Sequence, residues 1–258
     1  MFDARIIEIA TLLQSAQATK WAYSDIKDYW ETLSNPVRYG QGMGKWVPEY
    51  EYAHKLLLDT IALHLPSTEQ AQCKVLDLGA GSGRITKMVL ERFPECQVTL
   101  VDASQNMLNA TTQTLAAFPG RYELVVDDFL GGRVDFPAES FDCIVSVFAI
   151  CHGRELSQYQ QLYDNLHRWL KPSGCFVCYD HVAGATDQFT VLNIAGWLDF
   201  MQQFQSKQEA EEGVRSTYQE DYPLSLHQHL TLLSEAGFST VDVLFKRDIF
   251  GIYAGIKS

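Results

Sequence analysis

Asp77, Gly79, Gly81, Gly83, Asp102, Asp128, His152 and His181 are the residues whose types and spacing point to chemistry. Asp77 lies in Val75-Leu76-Asp77-Leu78-Gly79-Ala80-Gly81-Ser82-Gly83, two positions before a Gly-x-Gly-x-Gly run. The apolar residues before the glycines read as a buried strand, and Ile85, Met88 and Val89 after them begin a helical period. Glycine lets the backbone turn sharply and lets a ligand approach where a side chain would collide. Strand, glycine turn and helix in that order make a nucleotide site at the carboxyl edge of a parallel sheet. A dinucleotide site would carry Gly-x-Gly-x-x-Gly, with pyrophosphate on the helix amides. Here Arg84 stands where that last glycine belongs. The carboxylate of Asp77 instead suits a ligand with a cationic group.

Asp102 ends a second apolar run, Val98-Thr99-Leu100-Val101. A carboxylate there accepts hydrogen bonds from two vicinal ribose hydroxyls; its plainer role is to cap a helix beginning near Ser104. Val125-Val126-Asp127-Asp128-Phe129 places two acids after a third run. His152 follows a fourth run and is the best-placed neutral base near pH 7, with packing or orienting a helix as the alternative. A fifth run ends in Tyr179-Asp180-His181, where His181 serves proton transfer or a supporting role.

These residues need a scaffold. Strands at 75–79, 97–102, 122–126, 141–148 and 175–181 alternate with helices at about 83–93, 105–117 and 156–170, the last closed by Lys171-Pro172-Ser173-Gly174. Such alternation predicts a parallel α/β sheet covered on both faces. A helix from about 188 to 212 carries Trp197, another covers 225–236, and two runs joined by Arg247-Asp248 read as a hairpin. Ahead of the glycines lie helices at 1–20 and 50–64, separated by an irregular segment with Trp21, Tyr23, Tyr29, Trp30, Tyr39, Trp46, Tyr50 and Tyr52 among Gly40, Gly42 and Gly44. A loop with Pro66-Ser67-Thr68 leads to the first strand. We divide the chain into a cap at 1–52 and a domain at 53–258 with a helical insertion at about 183–222.

The 258 residues carry 47% hydrophobic and 12% aromatic side chains, enough for a real core. Net charge is −12, with 32 acidic and 20 scattered basic residues, which disfavours nucleic acid and anionic lipid. No apolar stretch approaches the ~20 residues of a membrane span, and the first residues lack a signal-peptide layout. Cys73, Cys143, Cys175 and Cys178 flank or lie in apolar runs and read as reduced, buried thiols of a cytoplasmic protein. Cys175 and Cys178 point to opposite faces of a strand, and no residue is assigned to a metal.

Residues 75–86 resemble motif I of the class I S-adenosylmethionine-dependent methyltransferases, and Val101-Asp102-Ala103-Ser104-Gln105-Asn106-Met107-Leu108 resembles that family's second signature. The resemblance implies a Rossmann-like seven-stranded sheet of order 3-2-1-4-5-7-6 with an antiparallel strand 7 and helices on both faces. It implies S-adenosyl-L-methionine as cofactor and S-adenosyl-L-homocysteine as product. Asp77 would face the cofactor's amino group, with Gly79, Ala80, Gly81 and Gly83 forming the loop. Asp102 and Ala103 would lie at the ribose, Met107 near the adenosine, Asp128 or Asp127 at the adenine amino group, and Phe129 on its ring. The stretch from Phe141 through Val147 to His152 resembles the family's F-D-x-V-x-S segment, which in many members ends in His-His; here Cys151 replaces the first histidine. Val147 would touch cofactor and His152 the acceptor. Val47-Pro48-Glu49-Tyr50 resembles a V-P-x-Y segment of some small-molecule and RNA-wobble-base methyltransferases, so Trp46, Tyr50 and Trp197 are expected in the acceptor pocket, as a lid or as core packing.

The implied activity is methyl transfer to O or N of a small molecule. Alternatives are a tRNA-modifying enzyme related to wobble-uridine modification, a cyclising enzyme acting on the cofactor itself, a nicotinamide oxidoreductase and a non-catalytic cofactor-binding protein.

Overall fold

The computed structural model describes residues 2–35, 42–66 and 72–258; Tyr39, Gly40, Ser67 and Thr68 lie outside them. Strands β1 (Cys73–Leu78), β2 (Cys96–Asp102), β3 (Tyr122–Val126), β4 (Phe141–Val147), β5 (Leu170–His181), β6 (Thr240–Arg247) and β7 (Phe250–Ile256) form one sheet of order β3-β2-β1-β4-β5-β7-β6. The first five pair in parallel, and β7 runs antiparallel to both β5 and β6. This is the order the resemblance implies.

Alternation along the central strands splits the core in two, because successive side chains leave opposite faces. Val75, Cys143, Val145, Cys175 and Val177 pack on one face. Leu76, Leu78, Ile144, Phe176 and Cys178 pack on the other. The first face is covered by α3 (Tyr50–His64) and α4 (Arg84–Arg92), which turn Leu57, Ile61, Ile85 and Val89 inward. The second is covered by α6 (Leu156–Trp169) and α9 (Leu226–Glu235), through Tyr159, Tyr163, Leu166 and Leu233. Helix α5 (Gln105–Thr114) starts at Ser104, whose hydroxyl accepts from the Met107 amide.

Three expectations are corrected here. The single helix foreseen at 188–212 is two, α7 (Asp187–Met201) and α8 (Lys207–Glu220). Ser206 and Glu209 form a reciprocal capping box, which satisfies backbone donors at a new start and breaks the run. The second correction is Cys73, which is not a thiol: it is disulfide-bonded to Cys96. The two cysteines open neighbouring parallel strands and are direct partners in register. Cys143, Cys151, Cys175 and Cys178 are buried and free. Strand β5 also begins earlier than foreseen, because Leu170 already pairs with Phe141 ahead of a register irregularity.

Helix α1 (Phe2–Ala18) packs on α7 and α8, burying Ile9, Leu13 and Ala16. Helix α2 (Tyr23–Thr32) packs on α5. No helix among the described residues is long and apolar enough to cross a membrane.

The disulfide closes a loop spanning β1, α4 and the start of β2. Loop-closure entropy of that size stabilises the fold by about 3 kcal/mol. Reduction, or the Cys73→Ser/Cys96→Ser double variant, is therefore expected to lower unfolding free energy in urea by up to about that amount with unchanged far-UV circular dichroism. Unchanged stability would count against the bridge.

Candidate active site

The loop after β1 places three left-handed glycines in a row of alternate positions, with φ of 69° at Gly79, 55° at Gly81 and 80° at Gly83. Two of them answer to packing. A Cβ on Gly79 would lie 2.1 Å from the Ala149 Cβ, and one on Gly83 would lie 2.8 Å from Thr111. The β1 turn is thereby pressed against the turn after β4, and α4 against α5. At Gly81 an added Cβ would meet only the tip of Met107, so this residue opens onto free space.

That space is a cleft of about 1100 Å³, counted out to its open mouth, at the carboxyl edge of the sheet. Asp77, Gly79, Ala80, Gly81, Asp102, Ala103, Met107, Phe129, Val147, Tyr50 and His152 line it. The structure thus assembles most of the residues singled out from sequence into one wall.

Asp77 is fully buried near the end of β1 and accepts a hydrogen bond from the Thr86 hydroxyl at 2.6 Å. Burial pushes its carboxyl up to about 7, against that hydrogen bond. Asp102 accepts from the Gly81 amide at 2.8 Å and from the Ser104 amide at 2.9 Å. Burial raises this carboxyl too. Two desolvated carboxylates beside an open glycine suit the amino group and ribose diol of the cofactor implied by sequence, and Met107, Phe129 and Leu130 offer apolar surface for its base.

Five expected residues stand outside the cleft wall. Gly83 caps α4 and faces Thr111. Asp128 is turned toward α2: the Tyr23 hydroxyl donates to Oδ1 at 2.7 Å, the Lys27 ammonium to Oδ2 at 2.8 Å, and the Gly131 amide to Oδ1 at 2.9 Å. Burial opposes ionisation of Asp128, but Lys27 and Tyr23 outweigh it and hold the carboxyl below its ordinary range. Asp127, the alternative to Asp128 for the same role, is half-buried and accepts from the Asp128 amide. Trp46 and Trp197 hold the cap together: the Trp197 indole donates to the Trp46 carbonyl at 2.6 Å, and Trp197 packs on Phe250. The Trp46 ring lies where any side chain at Gly213 would go. Both tryptophans are packing residues in this arrangement, and of the three expected at the acceptor only Tyr50 reaches the cleft.

The fifth, His181, sits behind the wall and leads to a residue that sequence reasoning missed. His181 Nδ1 is 2.5 Å from Asp221 Oδ2, and His152 Nδ1 is 3.0 Å from Oδ1 of the same carboxylate, the latter too oblique to count as a hydrogen bond. Asp221 follows α8, is fully buried, and is held ionised well below the carboxylate range; burial opposes this, and the two histidines prevail. Burial alone would lower His152, but Asp221 outweighs it and raises the imidazole above its ordinary value. Asp180 fixes the backbone around the pair, accepting from the amides of Cys151 and His181 at 2.9 Å each.

Helix α2 also went unread. Tyr23, Ile26, Lys27 and Trp30 line the cleft from it, and Glu31 accepts from the Ser104 hydroxyl at 2.9 Å and the Asn106 amide at 3.2 Å. Tyr23 and Trp30 belong to the aromatic-rich segment, which was the available signal. Phe148 and His54 are further omissions, as are Met43, Arg84, Ile85 and Leu130. Phe148 lines the cleft with φ of 53°, a conformation unusual for a bulky residue.

A model of the methyltransferase domain matches residues 75–174. Malonyl-[acyl-carrier protein] O-methyltransferase of Paenibacillus sp. (strain JDR-2) is 27% identical over 169 residues, or 65% of this chain and 56% of that protein. The chain therefore spans little more than half the length of that relative. Carboxy-S-adenosyl-L-methionine synthase of Nautilia profundicola is 21% identical over 222 residues, covering 83% of this chain and 88% of that one. Phosphoethanolamine N-methyltransferase 2 of Haemonchus contortus, solved with S-adenosyl-L-methionine, has a TM-score of 0.60 at 17% identity over 90% of this chain and 60% of that one. At that identity the likeness concerns the fold.

Two outcomes are expected from calorimetry with S-adenosylhomocysteine. Asp102→Ala should weaken binding by about 1–2 kcal/mol through loss of charged hydrogen bonds. Because only ionised Asp77 attracts an ammonium group, affinity should fall as pH drops through about 7. An affinity flat across that range would remove Asp77 from the amino group.

Proposed function

Because the chain belongs to the class I S-adenosylmethionine-dependent methyltransferase family, we propose that it carries a methyl group to an oxygen or nitrogen of a small molecule. The observation that carries this reading is the meeting of two features in one cleft. Asp77, Gly81 and Asp102 line it together with the Asp221-held His152.

The cofactor, when bound, supplies an electrophilic methyl, so the protein need not create a strong electrophile. The chain's residues bind and align. Asp77 and Asp102 hold the amino and ribose groups, while Ala80, Ala103, Met107, Phe129 and Val147 shape the space around them. Alignment in a dry pocket is worth up to about 7–11 kcal/mol. Helix α2 and the insertion act as a cap that excludes water. His152 takes the proton of a protic acceptor, and Asp221 stabilises the imidazolium so formed. The net charge of −12 supports a small molecule over RNA as acceptor.

A second reading keeps the fold and changes the chemistry, with the cofactor itself as substrate. It is favoured by the match to carboxy-S-adenosyl-L-methionine synthase along 88% of that protein. Incubation with methyl-labelled cofactor and a deproteinised cell extract separates the two by mass spectrometry. Label in a small molecule distinct from the cofactor supports methyl transfer. A mass change on the adenosyl compound alone supports the second reading, and label in added RNA would overturn the small-molecule acceptor.

The histidine fixes the pH dependence. Neutral His152 is the active form, so turnover should rise with pH through a midpoint above 6.5. Asp221→Asn removes the charge that opposes burial, and both the midpoint and the maximal rate should fall. An unmoved midpoint in that variant would exclude His152 as the base.

A further inference from the structure

Asp221 stands 3.0 Å from His152 Nδ1 without a hydrogen bond, because the contact is too oblique to count as one. A directional bond helps to fix its own geometry, and a charge contact does not. The strength of such a contact depends on distance, so the backbone on either side has to set the separation. One piece of backbone is the turn after β4, which carries His152. The other is the link after α8, which carries Asp221. They are far apart in sequence, and neither belongs to the sheet.

Arg154 spans them. Its Nη1 donates to the His152 carbonyl at 3.1 Å, and its Nη2 donates to the Glu220 carbonyl at 3.1 Å. That second carbonyl belongs to the peptide unit leading into Asp221. Nη2 also reaches the Trp21 carbonyl, ahead of α2, at 3.4 Å. The guanidinium lies over the ring of Tyr222, the residue after Asp221, at 3.7 Å. The Arg154 amide donates to Gln158 Oε1 at 2.8 Å, which ties the arginine to the first turn of α6. One planar group with donors at fixed angles thus holds the main chain at His152 and just before Asp221, and packs on the residue just after it.

Arg154 is not among the residues lining the cleft, so ligand contact does not account for it. Its guanidinium donors go to three carbonyls and not to a carboxylate. Burial opposes its charge, and its Nε is buried without a hydrogen-bond partner. Desolvation and an unmet donor both disfavour this placement, so the charged hydrogen bonds to the carbonyls are what hold it.

We propose that Arg154 is a positioning residue: by bridging the His152 and Glu220 carbonyls it holds the Asp221 carboxylate against the imidazole. This rests on the reading of His152 as the base given above. Arg154 acts through Asp221 and touches no reacting atom. Its own positive charge works against protonation of His152, so it favours the imidazolium only by placing the carboxylate. Asp180, Glu220 and Asp102 also face His152, and His181 and Lys20 face Asp221. A change of fork geometry at Arg154 leaves all of these charges in place.

The test follows the His152 imidazole across pH by ¹⁵N-histidine NMR of the full-length protein, with its signal assigned by loss in His152→Gln. Arg154→Lys keeps the charge and removes the planar fork. Its His152 midpoint should fall below the parent's by about half a pH unit or more, with unchanged far-UV circular dichroism. Added to Asp221→Asn, Arg154→Lys should shift the midpoint no further than Asp221→Asn does alone. A midpoint equal to the parent's in Arg154→Lys, or an equal fall on top of Asp221→Asn, would overturn the proposal. Should Arg154→Lys not fold, Arg154→Gln decides the same question. Loss of a cation acting alone would raise the midpoint, so a fall supports alignment and a rise or no change overturns it. Full turnover in His152→Gln would instead remove the base reading, while the midpoints, which need no acceptor, still decide the role of Arg154.

Discussion

One buried carboxylate, Asp221, ties the separate parts of this protein to each other. It is ionised, nearly inaccessible to solvent, and shared by a histidine from the turn after β4 and another from the end of β5. Desolvating a carboxylate costs several kcal/mol, so the site exists only while both imidazoles face it. The flanking chain is clamped as well. The Tyr222 amide donates to the Cys151 carbonyl at 2.8 Å, and the Tyr222 ring carries Lys20 at 3.2 Å and Arg154 at 3.7 Å. Lys20 in turn donates to the Asp221 carbonyl at 3.1 Å. The junction after α1, the end of the insertion and two strand ends therefore meet at one point, and the histidine in the cleft wall inherits its position from all of them.

Asp77 and Asp102 are arranged to opposite effect. Asp77, buried beside a single hydroxyl, has its proton affinity raised to about 7, so the ligand-free fold is penalised when the group is ionised. The unfolded chain releases this proton near the ordinary carboxylate value and the folded one near 7. The contribution to stability thus falls as pH rises between those values and stays low above them, by about 4 kcal/mol in all. A cation placed beside Asp77 offsets that penalty, which is one reason such a site prefers a positively charged ligand. Asp128 shows the reverse: Lys27 and Tyr23 already hold it ionised, so it anchors α2 over the cleft.

What was legible in the sequence is what repeats locally. Apolar runs of strand length, glycines at alternate positions and acids closing two strands gave the sheet, the loop, Asp77 and Asp102, since each of these signals lies within a few residues. Asp221 gave no such signal, because it sits in a connection between helices and meets His152 only through the tertiary fold. The Cys73–Cys96 bridge was hidden for a similar reason, as it depends on the register of two strands. The break between α7 and α8 was readable in Ser206 and Glu209 but was masked by the helical pattern on either side. Trp46 and Trp197 were ambiguous because aromatic enrichment marks a packed cap and a ligand pocket alike; in the fold they hydrogen-bond to each other and do not line the cleft.

The histidines show how far environment, and not residue type, decides chemistry here. Burial alone lowers His229 to about 3. It lowers His54 as well, and the Tyr50 carbonyl fixes which nitrogen keeps the hydrogen. His152 is largely buried too, yet its proton affinity is raised, because one oxygen of Asp221 lies 3.0 Å away. Burial penalises the charged imidazole in all three places, so the difference must come from the adjacent charge. Two imidazoles of opposite character therefore flank the cleft, one held neutral and one stabilised as a cation. The sequence alone shows two histidines; the carboxylate arriving from the insertion makes them different.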